Sequence, residues 1–217
     1  MSIVVLPPKS RVASFDVDAQ YTFTPECPDE LPVPGGAEIA GELNAQAGFA
    51  ALRLGSKDAH SPHAHWAASE SRPQFSPVAG ANMDVAWRVH AVPGTRGFEL
   101  LDALPRPSEY DFFVWKGVEP DMHPYGACYH DLADRLSTGA IEYLRARGVD
   151  TVLVGGLATD YCVKTTALQL RRAGFEVVIN LAASRGISEP TVLSALSEMD
   201  AAGIRTINDV SELRIAA

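Results

Sequence analysis

Four apolar runs in this chain each lead into a residue that can do chemistry: Asp18, Asp58, Lys116, and Cys162 at the end of GGLATDYC. A cysteine opening a helix has suitable electrostatics. Unpaired amide N–H groups and the helix dipole favour a thiolate, and the same amides can hold an oxyanion. A carboxylate such as Asp18 could take the thiol proton and return it to a leaving amine, while the Lys116 ammonium favours the sulfur anion. The plainer readings are a small buried cysteine and a solvated Asp–Lys pair of little energetic value. Spacing alone does not choose between them. A second constellation runs through Asp58, His60, His63, His65 and Trp66, with His90 further on. Imidazole nitrogens with one carboxylate suit zinc, iron or manganese. The pattern is not HExxH, so no zinc-protease reading follows, and a histidine-rich surface loop is the alternative. Gly155-Gly156 lacks the G-x-G-x-x-G spacing of a dinucleotide turn.

The elements that must carry these residues show a regular rhythm in the second half. Thr151 to Val154 reads as a buried strand, 160–173 as a helix closed by Gly174, and Phe175 to Leu181 as the next strand. Ser188 reads as the N-cap of a helix ending near Gly203, and Ile204 to Ile207 as a last strand. In the first half, Arg11 to Asp18, Phe49 to Lys57 and Tyr110 to Lys116 read as strands, and 36–47 and 139–147 as helices. Alternation of this kind predicts right-handed crossovers and a mostly parallel sheet of about six strands with helices on both faces, a three-layer α/β/α sandwich. Between about 58 and 109 the periodicity fails, in a stretch holding four of the six histidines and Pro62, Pro73, Pro77, Pro93 and Pro105. Long irregular segments inside a domain are usually functional or mobile. Ligands in open parallel sheets collect outside the carboxyl ends of the strands, where the four reactive residues fall.

At 217 residues, with 47% apolar content, the chain suits one domain over 1–217 with a real core. A formal charge of −9, from 27 acidic against 18 basic residues, argues against nucleic acid and anionic membrane as partners. The N-terminal MSIVVLPPKS lacks the basic flank and length of a signal peptide, no run approaches a membrane span, and three cysteines make a poor disulfide framework. A cytoplasmic location is expected.

On these residues the sequence resembles the nicotinamidases, the metal-dependent branch of the isochorismatase-like cysteine hydrolases. Asp18-Ala-Gln20-Tyr-Thr-Phe23 is similar to that family's D-x-Q-x-D-F, with Pro34-Gly35-Gly36 following. Asp58-Ala-His60 through His65 is similar to D-x-H-P-x-x-H, and Trp87-Arg-Val-His90 through Gly97 to W-P-x-H-C-V-x-G-T-x-G. Phe113-Val-Trp-Lys116-Gly117 with Asp121 and Tyr125 resembles V-x-K-G-x-x-P-D-x-x-x-Y-S-x-F, and Gly156 to Val163 matches G-x-A-T-D-x-C-V. Five ordered motifs are specific where one would be weak.

The resemblance implies a role for each matching position. Cys162 becomes the nucleophile, Asp18 the base and acid, Lys116 the third triad member, and the amides of Ala158 and Cys162 the oxyanion hole, with a cis peptide just before Ala158. Phe23, Trp87, Tyr125 and Gln20 become substrate-binding residues. Asp58, His60 and His90 become ligands of one divalent metal, zinc first, iron or manganese as alternatives, with His65 as a further candidate. The implied reaction converts nicotinamide to nicotinate and ammonia through a cysteine thioester, with pyrazinamide as a second substrate by shape and a homo-oligomer left open. The alternatives are a carbamoyl or ureido amidohydrolase of the same superfamily, whose members generally lack the metal histidines, and a non-catalytic scaffold, against which the intact triad counts. Departures from the family pattern are Asp16 in place of an apolar strand residue, Gly126-Ala-Cys128 after Tyr125, Arg88-Val89 before His90, and His65 one place late.

Overall fold

The computed structural model describes residues 3–216. In chain order the regular elements are β1 (Val4–Leu6), β2 (Val12–Val17), α1 (Ala40–Ala47), β3 (Leu52–Asp58), β4 (Phe112–Lys116), α2 (Ala140–Ala146), β5 (Thr151–Leu157), α3 (Lys164–Arg172), β6 (Glu176–Arg185), α4 (Glu189–Ala201), β7 (Arg205–Ile207) and β8 (Leu213–Ile215). Six of the strands form one parallel sheet in the order β4-β3-β2-β5-β6-β7. The predicted sheet is therefore present. The short parallel pair β1–β8 is an addition that three-residue strands do not announce in sequence.

The two central strands, β2 and β5, are buried along their whole length, as sheets covered on both faces require. Alternation along β2 sends Ala13, Phe15 and Val17 to one face, where they pack with Ile141 and Leu144 of α2, Leu170 of α3 and Met199 of α4. On the opposite face lies α1. Its Gln46 donates to Ser14 Oγ (3.0 Å) and to the Leu153 carbonyl (3.2 Å), and its Leu43 joins a second apolar cluster with Leu157 and Trp66.

Several boundaries differ from the sequence reading, each for a local reason. Residues 36–38 form a separate 3-10 turn before α1, because Gly35 takes the left-handed conformation (φ 71°). A π-helical turn, Thr159–Val163, precedes α3 instead of a uniform helix from 160. Such insertions are frequent at functional sites. β6 runs on to Arg185, past the expected end at Leu181, with an irregular register opposite Val154 and Gly156. Ser188 stands at the head of α4, but its hydroxyl contacts the Thr191 hydroxyl (2.7 Å) in place of a backbone N–H. Between β3 and β4 the chain carries only two 3-10 turns and isolated bridges, as the lost periodicity predicted. No helix among the described residues is long and apolar enough to cross a membrane.

Asp16 has its own partners. Arg53 Nε donates to it at 2.8 Å and the Tyr110 hydroxyl at 2.9 Å. Burial pushes the Asp16 carboxyl up to about 6, against the opposing pull of Arg53. The folded chain therefore binds this proton more tightly than the unfolded chain does. The residue's contribution to stability is most favourable below about pH 4 and declines as pH rises through about 6. Asp16→Asn removes that dependence. The unfolding free energy of the variant minus that of the parent is expected to rise by about 2 kcal/mol between about pH 4 and about pH 7.5. Urea titrations at a series of pH values check this, and a pH-independent difference contradicts it.

Candidate active site

The sheet order reverses direction between β2 and β5: the chain moves outward from β2 through β3 to β4, then returns to add β5 on β2's other side. At such a point the strand ends diverge and leave a crevice. The carboxyl ends of four adjacent strands deliver one reactive residue each. Lys116 ends β4, Asp58 ends β3 directly opposite it in register, Asp18 follows β2, and Cys162 follows β5. The linear order of strands becomes a compact cluster.

Lys116 is completely buried, as is Asp18. Its ammonium lies 2.9 Å from Asp18 Oδ2, donates to Asp58 Oδ1, and donates to Cys162 Sγ at 3.6 Å. One acceptor atom each of Asp18, Asp58 and Cys162 falls within 4.8 Å of the others. Ser56 Oγ donates to Asp18 Oδ1 (2.7 Å) and accepts from the Asp18 N–H (3.3 Å), which holds that carboxylate from behind. Asp18 has φ 45°, a left-handed conformation that non-glycine residues adopt only where surroundings impose it. Gly156 (φ 134°) sits beneath, and a Cβ there would lie 1.9 Å from the Val17 carbonyl oxygen, so only glycine lets β2 and β5 close up under the site. The Leu157–Ala158 peptide is cis, with Ala158 heading the turn that carries Cys162.

The charges set distinct states. Burial pushes the Asp18 carboxyl up to about 6, against Lys116 and with help from Asp58. Burial would also raise Asp58, yet Lys116 and His60 hold it well below the ordinary carboxylate range. Burial would lower Lys116, but the two carboxylates hold it well above its usual value. Burial pushes the Cys162 thiol well up, against the opposing pull of Lys116 and with help from Asp18 and Asp58. The resting arrangement at neutral pH is a thiol beside an ionised carboxylate that is basic enough to receive its proton. Such an arrangement can act as a general-base and nucleophile pair.

Beside it lies a small apolar cleft, whose lining includes Phe23, Trp87, Tyr125 and Tyr161 together with Cys162 and Ala158. Trp87 Nε1 donates to the Tyr125 hydroxyl (3.2 Å), which donates to Asp84 Oδ1 (2.7 Å). The expected wall residues Phe23, Trp87 and Tyr125 thus all face the cleft. Gln20 does not. Its amide donates to the Asp58 and Phe98 carbonyls (2.9 and 3.1 Å) and accepts from the Asp58 N–H (2.7 Å), so it clamps the backbone of Asp58.

His90 and His123 also line the cleft, with His60 packed against them. His60 and His90 are buried, and their rings lie 4.6 Å apart. The Nδ1 of His60 donates to the Gly117 carbonyl (3.0 Å) and that of His90 to the Arg88 carbonyl (2.7 Å), which leaves each Nε2 with a free lone pair. Those Nε2 atoms lie 3.3 and 3.8 Å from the two Asp58 oxygens. His60 Nε2 is buried with no hydrogen-bond partner. Two imidazoles whose Nδ1 atoms are held by backbone carbonyls, with one ionised carboxylate between them, fit a divalent metal. Backbone detail supports the pair: the His60 N–H donates to the Ala91 carbonyl (3.2 Å), and Ala91 itself has φ 50°.

His65, a candidate ligand by spacing, is exposed and outside this cluster. The segment after β3 turns so that Trp66 points inward, completely buried, while the His65 N–H donates to the Pro120 carbonyl. His63 is exposed as well. In their place the structure brings in His123, which sequence reasoning missed. Its signal was a histidine two residues before Tyr125, in the loop that leaves the Lys116 strand end.

A parallel α/β sheet whose topological switch point gathers a thiol, a base and an ammonium defines a protein of the cysteine-hydrolase class. The chain belongs to the isochorismatase family, whose domain model matches residues 56–209. It is 32% identical to the nicotinamidase of Acinetobacter baylyi over 88% of this chain and 90% of that protein. Among solved structures it superposes on an Acinetobacter baumanii nicotinamidase/pyrazinamidase with a TM-score of 0.83 and 28% identity, covering 91% of this chain and 96% of that one. It also superposes on the Pyrococcus horikoshii pyrazinamidase in complex with zinc, at TM-score 0.72 and 29% identity, over 91% of this chain and 98% of that one.

Removing the ammonium leaves two buried carboxylates uncompensated. Lys116→Met is expected to lower the unfolding free energy at pH 7 by about 3–5 kcal/mol, measured by urea denaturation. A loss below about 1 kcal/mol, the range of a solvated pair, contradicts the buried arrangement.

Proposed function

We propose that this chain is a nicotinamidase, hydrolysing nicotinamide to nicotinate and ammonia. The observation that carries this reading is the buried cluster in which Lys116 bridges Asp18, at 2.9 Å, and the Cys162 sulfur, at 3.6 Å. Support comes also from the family match and from relatives named for this activity.

In this reading the Cys162 thiol is too weak an acid to ionise unaided, so its proton passes to Asp18 as sulfur attacks the carboxamide carbon. The N–H groups of Ala158 and Cys162 donate to the oxyanion that forms. Asp18 then returns the proton to the departing ammonia, leaving a nicotinoyl thioester on Cys162. A water enters, gives its proton to Asp18, and attacks the thioester carbonyl. Nicotinate leaves, and Asp18 reprotonates the sulfur. Lys116 keeps Asp18 ionised between these steps and balances the charge of Asp58.

Phe23, Trp87 and Tyr125 provide flat apolar walls suited to a neutral aromatic ring and unsuited to a flexible ureido chain. A divalent metal, zinc first, with iron or manganese as alternatives, held by Asp58, His60 and His90, would supply a Lewis-acid contact that orients the ring through its pyridine nitrogen. Pyrazinamide, a diazine carboxamide of nearly the same shape, is a second substrate in this reading. We place the reaction in the cytoplasm, a reducing compartment that suits three unpaired cysteines.

Cys162→Ala is expected to abolish ammonia release from nicotinamide while the thermal unfolding midpoint stays within a few degrees of the parent. A folded variant that retains turnover overturns the proposal. Asp18→Asn is expected to lower kcat by about 10²–10⁴, read in the same coupled ammonia assay. Treatment with a chelator is expected to remove one equivalent of metal, measured by elemental analysis, and to suppress turnover until zinc is restored.

A further inference from the structure

We propose that His123, from the loop between β4 and α2, supplies the third imidazole of the metal pocket and takes the place that the segment after β3 leaves unfilled. This rests on the metal reading above and completes the ligand set of that site.

The position is built. His123 is 4% exposed, and its Nδ1 is buried with no hydrogen-bond partner. A buried ring nitrogen with no partner is unusual and calls for an occupant of the space it faces. One ring nitrogen each of His60, His90 and His123 falls within 4.8 Å of the other two, and these three residues make the only all-histidine cluster of that kind among the described residues. The His123 ring stacks on His60 at 5.0 Å with 27° between planes, and lies 5.9 Å from His90. His60 Nε2, on the same side of the pocket, also lacks a partner. The three rings therefore gather beside the Asp58 carboxylate, and two of them carry a buried nitrogen with no partner.

The loop is fixed so as to hold that ring in place. The His123 N–H donates to the Asn82 carbonyl (2.8 Å), and the carbonyl of Met122 accepts from Trp66 Nε1 (3.0 Å). Trp66 packs edge-on against both His60 (4.7 Å) and His123 (4.4 Å). The segment after β3 thus contributes an indole that backs the cluster, while His65 faces solvent. At the loop's start Gly117 has φ 69°, and a Cβ there would lie 2.3 Å from His60 Cε1, so glycine is needed for the loop to pass this close. Three imidazole nitrogens and one carboxylate oxygen form a donor set suited to zinc or iron(II).

The test uses the full chain, stripped of metal and titrated with Co²⁺, comparing the parent with His123→Ala, His123→Phe, His65→Ala and His60→Ala. Phenylalanine keeps a ring in the stack without a donor nitrogen, so the assignment stays testable if the alanine variant fails to fold. Near-UV circular dichroism identifies the folded variants. Dissociation constants come from chelator competition, and the visible d–d spectrum reports the ligand set. Loss of His123 is expected to weaken Co²⁺ binding at least about tenfold, the lower end of what even an outer partner of a metal ligand costs, and to alter the d–d bands. His65→Ala should change neither. If the parent binds Co²⁺, His60→Ala loses it, and His123→Phe matches the parent in affinity and spectrum, the assignment of His123 is overturned while the metal reading stands. If the parent binds no Co²⁺, both fall.

Discussion

A single ammonium buried between two carboxylates is the constraint on which the rest of this structure depends. Lys116 has no access to solvent, so its charge must be balanced within the protein, and Asp18 and Asp58 are the groups that balance it. Both carboxylates come from neighbouring strand ends, and the sheet register brings Asp58 directly opposite Lys116. The pair differs in state because the surroundings differ. Asp58 also faces two imidazoles and stays ionised, whereas Asp18 rises to about 6 and can cycle a proton. Two otherwise similar carboxylates beside one cation thus differ in proton affinity, which suits them to the different tasks proposed above.

The same charge organises what surrounds it. Ser56 behind Asp18 and Gln20 around Asp58 spend buried hydrogen-bonding capacity on orientation. Left-handed conformations at Asp18 and Ala91 mark where the backbone accepts strain to aim the side chains beside them. The strain is affordable because the central strands beneath are fully buried and the apolar clusters on both faces of the sheet are extensive.

Much of this was legible in the sequence, because the features responsible are local and periodic. Buried runs such as Thr151 to Val154 and the helix 139–147 declare themselves by composition and by flanking glycines. The four reactive residues stood out as polar groups at the ends of apolar runs. What was not legible depends on long-range geometry. Whether His65 or Trp66 turns inward is decided by a one-residue rotation of an irregular segment, which no period constrains. His123 joins the cluster only because the loop after β4 folds over the end of β3, 63 positions of chain from its partner His60. Gln20 carries a motif position that suggested a substrate contact, yet both ends of its amide are consumed by backbone. The π-helical turn at Thr159–Val163 was equally hidden, since its residues read as ordinary helix formers.

The central claim is that sulfur, carboxylate and ammonium act together as one acyl-transfer unit with Cys162 as the atom that bonds to substrate. The most direct measurement is acid-quench mass spectrometry of the full chain mixed with excess nicotinamide, followed by peptide mapping. The account predicts a nicotinoyl adduct on the peptide that bears Cys162, labile to hydroxylamine and absent from Cys162→Ala. Turnover with no such adduct at any quench time, or an adduct carried by Cys27 or Cys128, would contradict it.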